Sequence, residues 1–221
     1  MQEFTYAHKN TESGERITPT AQFNLVKTDK RIEELRKSAF AREIPVSDSE
    51  TLNFLTTFLQ AFKPQNILEL GTAVGISGAV MLDICKTAHL TTVERDENFY
   101  NEAVKNFKNL GLSERVTAIY GDAAEETSKL SGEYDFIFLD CAKVQYIKLL
   151  PRLKSLLKRG GVLLADDVLL FGYITGEAEV PKKRKMLVEH VREYLNVVTN
   201  DSSLSTTVLN LGNGLALSVK K

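Results

Sequence analysis

The residues best placed to do chemistry are carboxylates that close short apolar runs. Glu69 and Gly71 end the run Asn66–Leu70. Glu94 closes Leu90–Val93, Gly121-Asp122 closes Val116–Tyr120, Asp140 closes Tyr134–Leu139, and Asp166-Asp167 closes Val162–Ala165. If these runs are neighbouring parallel strands, all the acids gather beyond their carboxyl ends, where open α/β sheets bind ligands. Ordinary polar loop residues are the alternative for any one of them, but do not explain acids at all five ends.

Three groups stand out. The first begins with Gly71-x-x-x-Gly75, which follows a strand and opens a helix, so a ligand can approach the backbone closely. A pyrophosphate loop needs GxGxxG. Here Thr72 and Ala73 intervene, and the next glycines are 75 and 78. Glu69 repels phosphate and suits a cation. Glu94 stands where a carboxylate grips a ribose diol, and Gly121-Asp122-Ala123 suits an adenine edge. A ribose, an adenine and a cation without phosphates describe S-adenosylmethionine.

The second group is Asp140 with Asp166 and Asp167. Packed carboxylates are costly unless a cation neutralises them. An all-oxygen set favours Mg²⁺, or else Mn²⁺ or Ca²⁺. Lys143, three residues past Asp140, is placed to act as a base if a metal and burial strip its proton. Tyr146 reads as packing. The third group is the basic run Lys182-Lys183-Arg184-Lys185 at a helix start. It is either a solvated face or a phosphate contact. More basic residues, Lys27, Lys30, Arg31, Arg36, Lys37 and Arg42, lie in the N-terminal helical stretch.

The elements that must position these groups follow from periodicity. Thr20 to Arg42 reads as helix, with Phe23, Leu25, Val26, Ile32, Leu35 and Phe40 on its apolar face, and Pro45 stops it. Ser47-Asp48-Ser49-Glu50 starts a second helix. After Pro64 strands alternate with helices at Ile76–Cys85, Asn98–Leu110 and Val144–Leu157, which implies βαβ units and a parallel sheet covered on both faces. A helix from about Pro181 to Val198 precedes two strands, Ser205–Leu211 and Leu215–Val219. Only Gly212-Asn213-Gly214 separates these strands, so they form an antiparallel hairpin. The expected fold is α/β, a mostly parallel seven-stranded sheet with helices on both faces. It forms a single domain, with a helical extension over 1–62 and the core over 63–221.

Composition narrows the function. The 221 residues are 43% hydrophobic, enough for one sizeable core, and the net charge of -1 excludes a globally basic nucleic-acid binder. No stretch approaches a membrane span, and MQEFTYAHKN lacks the apolar segment of a secretory signal. Cys85 and Cys141 form no CxxC, and a reducing cytoplasm is the expected location. His8, His89 and His190 form no HExxH and read as structural. GISG lacks the GxSxG of a serine hydrolase.

Together, NILELGTAVGISG, TTVERD, YGDAAE, YDFIFLDCAKVQY and VLLADDVLLFG resemble the metal-dependent class I O-methyltransferases of the catechol and caffeoyl-CoA type, which carry a Rossmann-like core. The LNLGNGLALSVKK tail and the PKKRK helix resemble a bacterial branch that methylates 5-hydroxyuridine at the tRNA wobble position, giving 5-methoxyuridine. The resemblance covers about residues 40–221. It implies that Glu69, Gly71, Ser77 and Ser47 hold the methionine part of S-adenosylmethionine. Glu94 would hold the ribose, and Asp122 and Ala123 the adenine. Asp140, Asp166 and Asp167 would ligate the metal. Lys143 would be the base, with Asp140 also among the catalytic and cofactor-contacting residues. Lys182, Lys183 and Arg184 would touch RNA.

The implied partner is a tRNA anticodon loop, with a small catechol-like acceptor as the alternative, and the implied assembly is a homodimer. Three positions depart from the family pattern. Asp167 stands for asparagine, Cys141 for alanine, and Asn213 for the aspartate of a glycine-acid-glycine turn. A binding protein that senses the cofactor without turnover is disfavoured by the Asp140–Lys143 spacing. A nicotinamide oxidoreductase is disfavoured by the missing GxGxxG.

Overall fold

Residues 9–10, 16–17 and 28–221 are described by a computed structural model. The chain starts with a two-residue antiparallel ladder, β1 (Lys9–Asn10) and β2 (Arg16–Ile17). Two helices follow, α1 (Lys30–Ala41) and α2 (Ser49–Phe62). Strands and helices then alternate: β3 (Asn66–Leu70), α3 (Ile76–Ile84), β4 (His89–Glu94), α4 (Glu97–Asn109), β5 (Val116–Tyr120), α5 (Ala123–Lys129), β6 (Tyr134–Leu139), α6 (Tyr146–Leu156) and β7 (Leu157–Ala165). The chain closes with α7 (Lys185–Asn200), β8 (Leu204–Leu209) and β9 (Leu215–Lys220).

The large sheet has seven strands in the order β5-β4-β3-β6-β7-β9-β8. Strands β3 to β7 pair in parallel, while β9 runs antiparallel to both β7 and β8. Strand order reverses between β3 and β6, so the ligand-binding crevice of such a sheet opens above this pair.

The central strands are apolar on both faces because both are covered. In β6, Phe136 and Phe138 pack with Leu52, Leu55, Leu59 and Phe107 of α2 and α4. Ile137 and Leu139, one residue out of phase, pack with Leu149, Leu153, Val191 and Tyr194 of α6 and α7. Ile32 and Ala39 of α1 join the first of these cores, so the N-terminal helices are part of it.

Aspartates start the helices beside the crevice. Asp48 caps α2, Asp96 caps α4 and Asp122 caps α5, each accepting from backbone N–H groups of the first turn. Helix α5 is absent from the sequence reading. It is only seven residues long, and its one signal is the cap at Asp122.

Element boundaries moved where the sheet overrode local signals. Strand β7 runs back through Gly160-Gly161 to Leu157, because Leu157 pairs with Tyr134 on the far side of a register shift. The expected helix Val144–Leu157 opens as a 3₁₀ turn over Lys143–Gln145. In the expected Thr20–Arg42 helix, α1 starts at Lys30 with Asp29 as its cap. Phe23, Leu25, Val26 and Lys27 lie outside the described residues, as does His8. Among the described residues, no helix is long and apolar enough to cross a membrane.

Candidate active site

A cleft of about 900 Å³ lies across the carboxyl ends of β3 to β7. One wall is the loop from Gly71 to Gly75. Gly71 has φ +101, and a Cβ there would lie 2.1 Å from the carbonyl oxygen of Asp140, so only glycine fits. Ala73 is also left-handed, with φ 44. Its N–H donates to Glu94 Oε2 at 2.8 Å, and Asp96 N–H donates to Glu94 Oε1 at 2.9 Å. Glu94 therefore shapes the loop while each oxygen keeps acceptor capacity at the cleft. Ser47, Ser77, Asp122 and Ala123 also line the cleft.

Glu69 is placed differently from the expectation that its carboxylate meets a cation directly. It is fully buried beneath the glycine loop and lies outside the cleft lining. Its oxygens accept from Ser77 Oγ at 2.6 Å and Thr92 Oγ1 at 2.7 Å. Thr92 in turn lies 2.5 Å from Thr72 Oγ1. Since the Thr92 proton goes to Glu69, Thr72 donates to Thr92. Burial pushes the Glu69 carboxyl up to about 7, against the pull of its two hydroxyl partners. Thr72 and Thr92 carry no signal in sequence, since threonine is ordinary in strands.

At the second wall, Asp122 accepts from Ala124 and Glu125 N–H groups and from Gln145 Nε2 at 2.8 Å. The Gln145 contact is the main reason its carboxyl lies below the usual range.

The acidic end forms because β6 and β7 are neighbours, the condition under which the sequence reading brought these acids together. Lys143 Nζ lies 2.7 Å from Asp140 Oδ1 and 3.0 Å from Asp167 Oδ2. Asp166 is buried and turned toward α2, accepting from Asp167 N–H at 2.7 Å and from Thr51 Oγ1 at 3.4 Å. Burial raises the Asp140 and Asp166 carboxyls, and neighbouring carboxylates raise them further. Asp48 also faces this group, and its carboxyl is raised by burial. Asp167 has φ 56, a backbone region that aspartate and asparagine tolerate better than most residues.

This geometry bears on the expected metal ligands and on the expected base. Asp140, Asp166 and Asp167 all border the same cleft, but as they stand no three His, Cys, Asp or Glu side chains among the described residues are grouped to hold a metal ion. Lys143 stands between Asp140 and Asp167, and Asp166 faces Thr51. Lys143, expected to act as a base if a metal and burial strip its proton, is surrounded here by acids that favour its charged form. Burial alone would lower its pKa, but Asp140 and the other surrounding acids hold it well above its usual value, as an ammonium. In kind the donor set still fits a hard divalent cation, being anionic, all-oxygen and richer in carboxylates than one ammonium neutralises.

Tyr146 is structural, as expected. Its buried hydroxyl donates to the carbonyls of Leu139 and Asp166. His89 bonds Thr117, His190 bonds the carbonyl of Met186, and neither lines the cleft.

The β8–β9 turn closes the acidic end. Leu169 N–H donates to the carbonyl of Asn213 and Val168 N–H to that of Gly214, clamping the loop that carries Asp166 and Asp167. Asn213 and Asp48 both line the cleft, which the sequence reading did not foresee. On the rim, Phe171 faces the cleft, and the Arg184 guanidinium lies 5.7 Å from its ring centroid. Lys182 and Lys183 are exposed beside it.

Residues 24–221 match the family model described as O-methyltransferase. The chain belongs to the O-methyltransferase family. It is 29% identical over 197 residues to tapetum-specific methyltransferase 1 of Arabidopsis thaliana, covering 84% of each chain. It is 28% identical over 194 residues to caffeoyl-CoA O-methyltransferase of Stellaria longipes, covering 83% of this chain and 80% of that one. Among solved structures, a candidate caffeoyl-CoA O-methyltransferase from Staphylococcus aureus superposes with a TM-score of 0.81 at 31% identity, covering 90% and 95% of the two chains. Podospora anserina methyltransferase PaMTH1, bound to S-adenosylhomocysteine, gives 0.81 at 22% identity and 91% and 92% coverage, a likeness of fold.

The protein is thus an O-methyltransferase, as the motifs implied. For this O-methyltransferase the cleft is the candidate active site. Its two ends are Glu94 with the glycine loop and Lys143 with its carboxylates.

Proposed function

We propose that this O-methyltransferase moves the methyl group of S-adenosylmethionine to a hydroxyl of a small aromatic acceptor of the catechol or caffeoyl type. The observation that carries this reading is one continuous cleft joining Glu94 and the glycine loop to the Lys143–Asp140–Asp167 group. Gly71, Ser77 and Ser47 hold the methionine part, Glu94 the ribose hydroxyls, and Asp122 and Ala123 flank the adenine. Relatives with caffeoyl-CoA acceptors in their names support the acceptor class.

The chemistry follows from charge. The sulfonium methyl is already electrophilic, so the site must present an oxygen in line with it, and as an anion. Lys143, an ammonium, stabilises the acceptor oxyanion as it forms. A neighbouring carboxylate of Asp140 or Asp167 takes the hydroxyl proton, favoured in the case of Asp140 by its raised pKa. The oxygen forms its bond to the methyl carbon as the carbon–sulfur bond breaks, and the electron pair returns to sulfur. A divalent cation held by Asp140, Asp166 and Asp167 would add Lewis acidity that lowers the pKa of the acceptor hydroxyl.

A second reading takes 5-hydroxyuridine of the tRNA wobble position as acceptor. It is supported by exposed Lys182 and Lys183 beside Arg184 on the cleft rim. One competition assay separates the two: equal turnover conditions with a catechol and with tRNA from cells lacking this gene. Faster methylation of the catechol is expected, and faster methylation of tRNA replaces the first reading by the second. In that second case, alanine at Lys182 and Lys183 lowers the log–log salt slope by roughly 0.7 per lost phosphate contact.

A further inference from the structure

Asp48 lines the acidic end of the cleft. Its Oδ1 is occupied, accepting from Thr51 N–H at 2.8 Å as the cap of α2. No donor among the described residues reaches its Oδ2, and Oδ2 is not sealed off from solvent as Asn213 Oδ1 is. The turn between β8 and β9 makes room for this carboxylate. Gly212 has φ +54, and a Cβ there would lie 2.1 Å from Asp48 Oδ2, so any larger residue would push the carboxylate aside. Gly212 N–H donates to Glu50 Oε2 at 2.9 Å, which fastens the hairpin to the first turn of α2. Thr51 ties Asp48 to the acid loop, since its N–H holds Asp48 and its Oγ1 meets Asp166.

Asp48 thus presents one open acceptor beside Asp140, Asp166 and Asp167, all of which face it. The ammonium of this end, Lys143, is engaged by Asp140 and Asp167 rather than by Asp48. A partly buried carboxylate oxygen without a protein donor is matched by a donor that the substrate brings. We propose that Asp48 Oδ2 accepts a hydrogen bond from a second hydroxyl of the acceptor, next to the one that is methylated, so that Asp48 selects vicinal diols. This rests on the reading that the acceptor is a small aromatic hydroxyl compound with its reacting oxygen at Lys143. An ether or carbonyl oxygen in place of the second hydroxyl would set two acceptors face to face. 5-Hydroxyuridine carries a carbonyl there, so Asp48 favours the catechol over the tRNA base. A site built to bond a hydroxyl rejects an analogue lacking it far better than a shape-only pocket does.

The test compares kcat/KM for catechol and for 2-methoxyphenol, whose ether oxygen only accepts, at saturating Mg²⁺. The proteins are the wild type, Asp48→Asn and Asp48→Ser. Both replacements can cap α2, and melting temperatures establish folding. In Asp48→Asn the amide oxygen takes the Thr51 N–H, so the NH₂ group stands where Oδ2 stood and donates. Asparagine matches aspartate in size, so a preference set by shape alone would persist, and the ratio cancels effects common to both acceptors. The wild type is expected to prefer catechol by about tenfold or more. The preference falls by about tenfold in either folded variant, and in Asp48→Asn free 5-hydroxyuridine also gains on catechol. Mn²⁺ affinity, read by calorimetry, stays unchanged in both. The comparison on the wild type stands even if neither variant folds. A wild type without the preference, or an Asp48→Asn protein that keeps it, overturns the role of Asp48. So does a Mn²⁺ affinity that drops along with the preference, which assigns Asp48 to a cation instead. A wild type that turns over neither phenol overturns the acceptor reading itself, and this inference with it.

Discussion

Ala73 and Glu94 are joined across the cleft floor by a 2.8 Å hydrogen bond from the backbone N–H of Ala73 to Oε2. Ala73 is held at φ 44, where a residue with a Cβ pays for its conformation. One cleft carboxylate therefore holds the glycine loop, and in the proposed reading it also receives the ribose.

Glu94→Ala removes both functions at once. Hydrogen bonds to a charged acceptor are worth about 1.5–3 kcal/mol each, so affinity for S-adenosylhomocysteine should fall at least about tenfold if one bond is lost and at least about a hundredfold if two are. Titration calorimetry measures it. Unchanged affinity would take Glu94 out of the binding site.

Lys143→Met should lower kcat by about 10²–10³ with little change in the KM for S-adenosylmethionine, because the charge acts on the forming oxyanion. Lys143→Arg decides between an ammonium and a base. Arginine keeps the positive charge but does not deprotonate, so measurable activity in this variant supports the ammonium role. Complete loss in a folded Lys143→Arg protein, together with wild-type activity that climbs steeply at alkaline pH, would restore the base.

Chelation tests the surplus of carboxylates around Asp140, Asp166 and Asp167. EDTA should lower turnover, and Mg²⁺ or Mn²⁺ should restore it. Asp167→Asn removes one negative charge next to Lys143 and should keep activity while weakening metal affinity, read by calorimetry with Mn²⁺. Turnover indifferent to EDTA would leave Lys143 as the sole cation of the site.

Glu69 makes stability depend on pH. Its carboxyl is raised from 4.5 to about 7 in the folded chain, so the folded state binds the proton more tightly than the unfolded one. The stability this contributes is complete below about 4.5 and is lost as pH rises through about 7. Glu69→Gln keeps the shape without the ionisation. Its melting temperature relative to wild type should therefore rise between pH 5 and pH 8, by the equivalent of at most about 3 kcal/mol. A difference that stays flat across that range would mean that Glu69 does not ionise there.

Much of the site was legible because its residues are tied to strand ends. A run such as Tyr134–Leu139, apolar on both faces, announces a buried parallel strand, and the polar residue that closes it falls at the crevice by topology alone. Gly71 was legible for a similar reason, since only glycine permits the approach of the Asp140 carbonyl. Gln145, Thr92 and Asn213 were not. Each earns its place through a partner distant in sequence: Asp122 for Gln145, Glu69 for Thr92, and for Asn213 the loop after β7.

The strand–helix alternation, the terminal hairpin and the set of acids at the strand ends are written into the chain locally, because periodicity and turn residues act within a few positions. What those acids face was set by how the elements pack. Packing α3 against β3 and β4 put Glu69 under the loop, outside the cleft lining, where burial raises its pKa. Pairing β6 with β7 set Lys143 between Asp140 and Asp167 as an ammonium. Protonation and orientation depend on summed charge and desolvation from several elements, and no single stretch of chain contains that sum.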